Sequence, residues 1–245
     1  VFKSGNSRRV CRQLFRIVQR RSMAPLLDFA DIEDEYVRMV ICAVPLLAAG
    51  VLSLLFVVYL RRKLLSKNVG KDIDVPKLDY LAAKVKSGSI AFLKEEYKYL
   101  AVYVGVWFVL LLVMFSVSPM KEGASTDGVR CAFCLLAGAL LSGLAGFIGM
   151  TVATDGNVRT TVACASGSLN DGLRVAFTAG AAMGFGVVGL AAFGLSILLL
   201  CMKPNRNQLQ AVQYTHSFGF GASSIALFAR VAGGIYTKAA DVGAD

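Results

Sequence analysis

Five long apolar runs divide the chain, and each is long enough to cross a membrane. They lie at 39–60, 100–117, 131–154, 175–202 and 218–236. A membrane-spanning helix needs about 20 predominantly apolar residues, with about 17 to 25 tolerated. The last run is the least hydrophobic and contains Arg230. The pattern of apolar and polar positions therefore predicts five transmembrane helices.

The composition is that of a membrane protein rather than a water-soluble one. Hydrophobic residues make up 56% of the 245 residues, charged residues make up 17%, and the mean hydropathy is +0.61. A soluble domain carries about 25% charged residues, because it needs polar side chains to cover its surface. We therefore expect an all-α fold, a polytopic transmembrane helix bundle surrounded by membrane lipid.

The net charge of +10 is distributed unevenly over the segments between the runs. Basic residues number 14 in 61–98, 155–174 and the C-terminal end, against four in 118–130 and 203–217. Cytoplasmic loops of membrane proteins carry an excess of Lys and Arg, so we expect the C-terminal end to be cytoplasmic. No nucleic-acid-binding module accompanies these basic residues, and nucleic acid is not an expected partner.

Residues 1–38 form an Arg-rich extension in which no acid precedes Asp28. Such a segment is typical of a targeting sequence, and we assign the membrane domain to 39–245. The chain begins with Val1 rather than Met and stops at Asp245 inside a predicted helix. We therefore expect it to be an N-terminal portion of a longer protein.

Small residues recur at four-residue intervals in the third and fourth runs. They let helix backbones approach closely in a membrane, so these faces predict helix–helix contacts. A glycine-hinged gate is the alternative interpretation. The candidate faces are Gly138, Ser142 and Gly146 in the third run and, in the fourth, either Gly180 and Gly184 or Ala182 and Gly186.

The end of the chain carries the residues best suited to chemistry. Lys238, Asp241 and Asp245 fall at i, i+3 and i+7, which is one face of a helix. If 218–245 is helical throughout, it is about 42 Å long, so its charged end must stand outside the hydrocarbon. Two carboxylates a turn apart suit Mg²⁺ together with phosphate oxygens, and a lysine suits phosphate. The alternative is a solvated helix end with an ordinary ion pair.

Arg230 extends this face into the apolar run. It precedes Asp241 by 11 residues, which places it roughly 16 Å away along the axis and on nearly the same side. An arginine inside a span is costly unless it is paired, and it marks an ion pathway or a buried ion pair. The first four runs contain no acid. Its partner therefore lies beyond Asp245, or its side chain reaches out to the cytoplasmic edge.

The segment 218–245 closely resembles the fifth transmembrane helix of the membrane-integral, vacuolar-type inorganic pyrophosphatases. In that family FARVGGGIYTKAADVGAD continues into LVGKVE and completes a DxxxxxxxKxE motif, whose first Asp corresponds to Asp241. Ala232 stands here where Gly is usual, and Gly156 where Ala is usual. Three further stretches match in the same order, so the resemblance covers about 39–245: FLKEEY at 92–97, GFIGM at 146–150 and NVRTT at 157–161.

The resemblance implies roles for four residues near the C-terminal end. Lys238 would contact pyrophosphate, while Asp241 and Asp245 would belong to the acidic set that binds Mg²⁺. Arg230 would lie at the junction between the hydrolytic funnel and the ion gate. The resemblance assigns the positioning of the attacking water to residues outside this chain, so we expect the chain alone to be inactive.

The function implied is Mg²⁺-dependent hydrolysis of pyrophosphate coupled to translocation of protons or sodium ions. The whole protein would be a homodimer of subunits with about sixteen helices, in a vacuolar or other acidic-organelle membrane. The pumped ion and a requirement for K⁺ are left open. The competing hypothesis is a non-enzymatic membrane transporter or assembly subunit whose last helix ends in charged residues.

Overall fold

A computed structural model describes residues 35–117, 127–201 and 208–244, and the packing reported below lies within the compact unit Met39–Asp245. These described residues form five long α-helices, a short 3₁₀ helix at Gly70–Ile73 and no strand. Each long helix is apolar enough to cross a membrane. The predicted all-α bundle with five spans is therefore confirmed. The helices are α1 (Glu35–Leu65), α2 (Pro76–Val117), α3 (Asp127–Ser166), α4 (Leu169–Cys201) and α5 (Gln208–Ala244).

Two segments predicted as loops, 61–98 and 155–174, are largely helical. Helix α2 begins at Pro76, long before its apolar run, because proline suits the first turn of a helix and few breakers follow it. Helix α3 continues beyond its apolar run to Ser166, and α4 begins after a reciprocal cap between Ser168 and Asp171. Hydropathy therefore locates the part of each helix that crosses the membrane, whereas the positions of the helix ends depend on capping residues.

Helix α3 lies at the centre of the bundle and packs against α2, α4 and α5. Helix α1 packs on α4, where the Ser53 hydroxyl donates a hydrogen bond to the Phe185 carbonyl at 2.8 Å. The rings of Phe56 and Phe185 meet edge to face in the same contact, with centroids 5.1 Å apart. The first helix is thus held by the fourth, and the fifth by the second and third.

The glycines of α3 and α5 bring two backbones together. A Cβ atom at Gly138 would overlap the carbonyl oxygen of Phe218, and one at Gly221 would overlap the carbonyl oxygen of Leu135. These positions therefore exclude every side chain larger than that of glycine. The predicted use of small residues for close helix contact holds for Gly138.

The structure also decides between the two small-residue faces of α4. Ala182 is fully buried, with 0% exposure, and a Cβ at Gly186 would meet Val57 and Ile148. At Gly180 and Gly184 a Cβ would meet nothing within 4 Å among the described residues. The Ala182 and Gly186 face is therefore the one packed against α1 and α3.

Gly156, one of the two departures from the resembled family pattern, lies at a tight point between α3 and α4. A Cβ there would come within 2.9 Å of the Ala179 Cβ and 3.7 Å of a Leu64 methyl group. Alanine at this position would therefore require a small shift of α3 or α4.

We expect Gly221→Ala to lower the stability of the bundle by about 1–3 kcal/mol, because the added methyl group forces α5 away from α3. The measurement is thermal unfolding of the purified chain in detergent, followed by far-UV circular dichroism. Gly219→Ala is the matched control, since a Cβ there meets no described atom within 4 Å and alanine favours helix by about 0.5–1 kcal/mol. Equal unfolding midpoints for the two variants would contradict the contact.

Candidate functional site

Three aromatic pairs hold α5 antiparallel to α2. The aromatic residues that α5 contributes, which we call its anchors, are eight residues apart in sequence. Successive anchors are therefore displaced by only about 80° around the helix. The three pairs have ring centroids 4.9, 4.8 and 5.0 Å apart, and they are Phe220–Trp107, Phe228–Tyr103 and Tyr236–Phe92. Sequence reasoning missed these residues, although the eight-residue aromatic repeat was the available signal.

These anchors direct the charged residues of α5 to its opposite side. Arg230 and Lys238 each follow an anchoring aromatic by two residues, which is a rotation of about 200°. Both side chains are exposed, as is that of Asp241, which lies on nearly the same side as Arg230. We call Arg230, Lys238 and Asp241 the charged face of α5. The charged face of α5 is therefore turned away from α2 and α3, while the predicted alignment of Lys238 and Asp241 with Asp245 stays a prediction.

Lys238 and Asp241 form a loose, solvated ion pair. The Lys238 Nζ lies 3.7 Å from an Asp241 carboxylate oxygen, with side-chain exposures of 84% and 69%. Such a pair contributes little stability, and both groups keep most of their capacity to bind a ligand. Asp245 lies outside the described residues. No cluster of three metal-binding side chains occurs in the described part of the chain.

Arg230 forms no ion pair among the described residues. On α2, the acid closest in sequence to an apolar run is Glu96, which lies just before the second run. One carboxylate oxygen of Glu96 is buried and accepts no hydrogen bond from described residues. Glu96 lines a cavity of 320 Å³ between α2 and α5, together with Phe228 and Ala232.

An ion pair between α2 and α3 fixes the end of the bundle from which the charged face projects. The Lys86 Nζ lies 2.5 Å from the carboxylate of Asp155, whose side chain is 13% exposed. Tyr236 packs close by, because a Cβ at Gly88 would lie 3.7 Å from its hydroxyl. We call this region the Lys86 end. The sequence signal for this ion pair was Asp155, a single acid directly after the third apolar run.

Tyr97, in the FLKEEY stretch, ties α2 to α3 within the bundle. Its hydroxyl donates a hydrogen bond to the Gly143 carbonyl at 2.5 Å. A Cβ at Gly146 would lie 3.3 Å from the same hydroxyl. The FLKEEY and GFIGM stretches thus meet across the contact between α2 and α3, where they serve packing.

Comparison with known proteins shows extensive similarity to one family of ion pumps. The family model for inorganic H⁺ pyrophosphatase matches residues 51–245. A Bacteroides thetaiotaomicron protein, named as a candidate K⁺-stimulated pyrophosphate-energized sodium pump, is 40% identical over 206 residues, covering 80% of this chain and 27% of its own. A K⁺-insensitive pyrophosphate-energized proton pump of Methanosarcina mazei is 38% identical over 197 residues, covering 80% and 26%.

The chain spans about a quarter of the length of the curated relatives that it matches. No solved structure matches it. The family match begins inside α1 and extends through the charged face of α5. It therefore includes every described residue to which we assign a role. The chain belongs to the inorganic H⁺ pyrophosphatase family.

Proposed function

We propose that the full-length protein hydrolyses pyrophosphate and uses the free energy to move protons or sodium ions across a membrane. The observation that carries the proposal is the charged face of α5, which lies within the family match and projects from the Lys86 end of the bundle. Family membership favours this function over that of a non-enzymatic transporter or assembly subunit.

Lys238 and Asp241 have complementary parts in the proposed site. The Lys238 ammonium group donates hydrogen bonds to phosphate oxygens, and Asp241, with Asp245, supplies carboxylate oxygens for Mg²⁺. The exposed, loosely paired carboxylate of Asp241 fits this role, because Mg²⁺ is usually bound by one or two carboxylates together with phosphate oxygens and water. When bound, Mg²⁺ supplies positive charge that offsets the negative charge of pyrophosphate.

Arg230 connects this site with the membrane interior in the proposal. It lies on the same side of α5 as Asp241 and roughly 16 Å deeper along the helix axis. A rigid helix therefore presents the phosphate-binding residues at one level and a fixed positive charge at another. We propose that Arg230 belongs to the gate through which hydrolysis is coupled to ion movement.

The orientation and surroundings of the protein complete the proposal. Residues 1–38 are a targeting extension, 39–245 are the N-terminal part of the pump, and the Lys86 end faces the cytoplasm. The membrane is that of a vacuole or another acidic organelle, and the full-length protein is a homodimer. The relatives include pumps named as K⁺-stimulated and as K⁺-insensitive, so K⁺ dependence is to be measured directly.

We expect Asp241→Asn to abolish Mg²⁺-dependent pyrophosphate hydrolysis by the full-length protein. The loss of activity should exceed the roughly 10–100-fold loss caused by removing a residue that only hydrogen-bonds to a metal ligand. Glu95→Gln is a matched control, because Glu95 also forms an exposed ion pair with a lysine three residues away. Phosphate release is measured at saturating Mg²⁺. Wild-type turnover in Asp241→Asn would refute the assignment and leave only a solvated ion pair.

The 245-residue chain by itself is expected neither to hydrolyse pyrophosphate nor to pump ions. None of its residues is proposed to position the attacking water, and the proposed Mg²⁺ ligands that it contains are few. The measurement is pyrophosphate-dependent phosphate release by the purified chain in lipid vesicles, beside the full-length protein. Release above the background of empty vesicles would disprove this expectation.

We expect Tyr236→Ala to loosen the end of α5 that carries Lys238 and Asp241. An aromatic pair contributes about 0.5–1.5 kcal/mol beyond its buried area, so amide hydrogen exchange across these residues should rise about three- to tenfold. Mass spectrometry of the chain in detergent measures the rise. Ile235→Ala is the control, because the neighbouring Ile235 is exposed. Equal amide exchange rates in the two variants would disprove the role of Tyr236 in holding this end of α5.

A further inference from the structure

A polar cavity of 740 Å³ lies between the ends of α1, α3 and α4 and is separate from the charged face of α5. Four basic residues line it, contributed by all three helices and the segment after α1. They are Lys63, Lys67, Arg159 and Arg174. The cavity therefore concentrates positive charge at the same end of the bundle as Lys86 and Asp155.

The described part of the chain neutralises the basic residues of this cavity only in part, because one lining acid, Asp171, interacts electrostatically with Arg174 and Lys67. None of the four forms an ion pair within the ranges that the structure describes. Arg159 donates one hydrogen bond from Nη1 to the Asp155 carbonyl oxygen at 2.6 Å. Its Nε is buried and has no hydrogen-bond acceptor in the described part of the chain, while the Asp155 carboxylate is occupied by Lys86. Arg159 thus keeps a buried donor that an anionic oxygen would satisfy.

The acid that lines the cavity is engaged in capping α4. The Asp171 carboxylate accepts hydrogen bonds from the Ser168 hydroxyl at 2.9 Å and from the Ser168 backbone N–H at 3.2 Å. This arrangement stabilises the start of the helix. One carboxylate against four basic residues leaves the cavity with an excess of positive charge, which suits a doubly or singly charged phosphate group.

An exposed apolar strip leads from this cavity along α4 towards the membrane. Leu173 and Phe177, which line the cavity, are both exposed. One and two turns further on, side chains at Gly180 and Gly184 would meet no atom of the described residues within 4 Å. Positive charge next to an open apolar strip matches a phosphate group joined to acyl chains better than a free phosphate ion.

We propose that the cavity binds the phosphate of an anionic phospholipid, with an acyl chain lying over Gly180 and Gly184. Arg159 Nε and the Lys67 and Arg174 side chains contact the phosphate oxygens. The basic residues recognise a phosphate group, which either a lipid or a free ion could carry. The apolar strip next to them favours the lipid. The site is independent of pyrophosphate hydrolysis, because it shares no residue with the charged face.

The test is native mass spectrometry of the purified chain titrated with dioleoyl phosphatidic acid, with dioleoyl phosphatidylcholine as the neutral comparison. Lys67→Gln/Arg174→Gln removes two charges from the cavity. Lys84→Gln/Lys94→Gln removes two exposed charges from α2 and is its control. Basic side chains near anionic lipid contribute about fivefold each, so we expect the cavity variant to bind phosphatidic acid at least about tenfold more weakly than its control.

A second variant distinguishes the lipid from free phosphate. Gly180→Leu/Gly184→Leu fills open space and leaves the basic residues in place, so it should preserve helix content and weaken phosphatidic acid binding. Inorganic phosphate at millimolar concentration should not displace the lipid from the wild-type chain. Displacement by phosphate, with normal lipid binding in the leucine variant, would overturn the lipid assignment in favour of a free-anion site. Equal binding by both charge variants would overturn the phosphate site itself.

Discussion

The close approach of α3 and α5 is the constraint on which the arrangement of the charged residues depends. Inside a membrane, apolar side chains gain little by leaving lipid for protein, so helices associate through tight packing of small residues. Gly138 and Gly221 permit such packing because each faces a carbonyl oxygen of the other helix. With this side of α5 fixed against α3 and its aromatic residues fixed against α2, Arg230 and Lys238 can only face outwards.

The two proposed phosphate sites at the Lys86 end differ in their balance of charge. The charged face of α5 combines Lys238 with the carboxylate of Asp241, and such a combination suits a phosphate that arrives with a divalent cation. In the cavity beside α4, one acid caps the helix and four basic residues form no salt bridge among the described residues, so positive charge is in excess. That cavity suits a phosphate without a metal ion. The two proposed sites at this end of the bundle therefore differ in the kind of phosphate ligand that they suit.

Much of the fold could be predicted from the chain because lipid imposes simple requirements. Apolar runs located all five helices and the small-residue intervals located Gly138, since both patterns are local. The extent of α2 and α3 beyond the membrane could not be read from hydropathy, because helix ends depend on capping and on contacts such as Lys86–Asp155. The choice between the two small-residue faces of α4 also needed the positions of α1 and α3.

The sequence by itself determined that Lys238 and Asp241 share one side of a helix, because that relation depends only on helical periodicity. It also determined that Arg230 has no acid within the other apolar runs to pair with. Only the tertiary structure decided which side of α5 is covered, through Phe228, Tyr236 and the glycine contacts with α3. The reason is that periodicity relates residues within a helix, whereas the direction in which a helix faces depends on its neighbours.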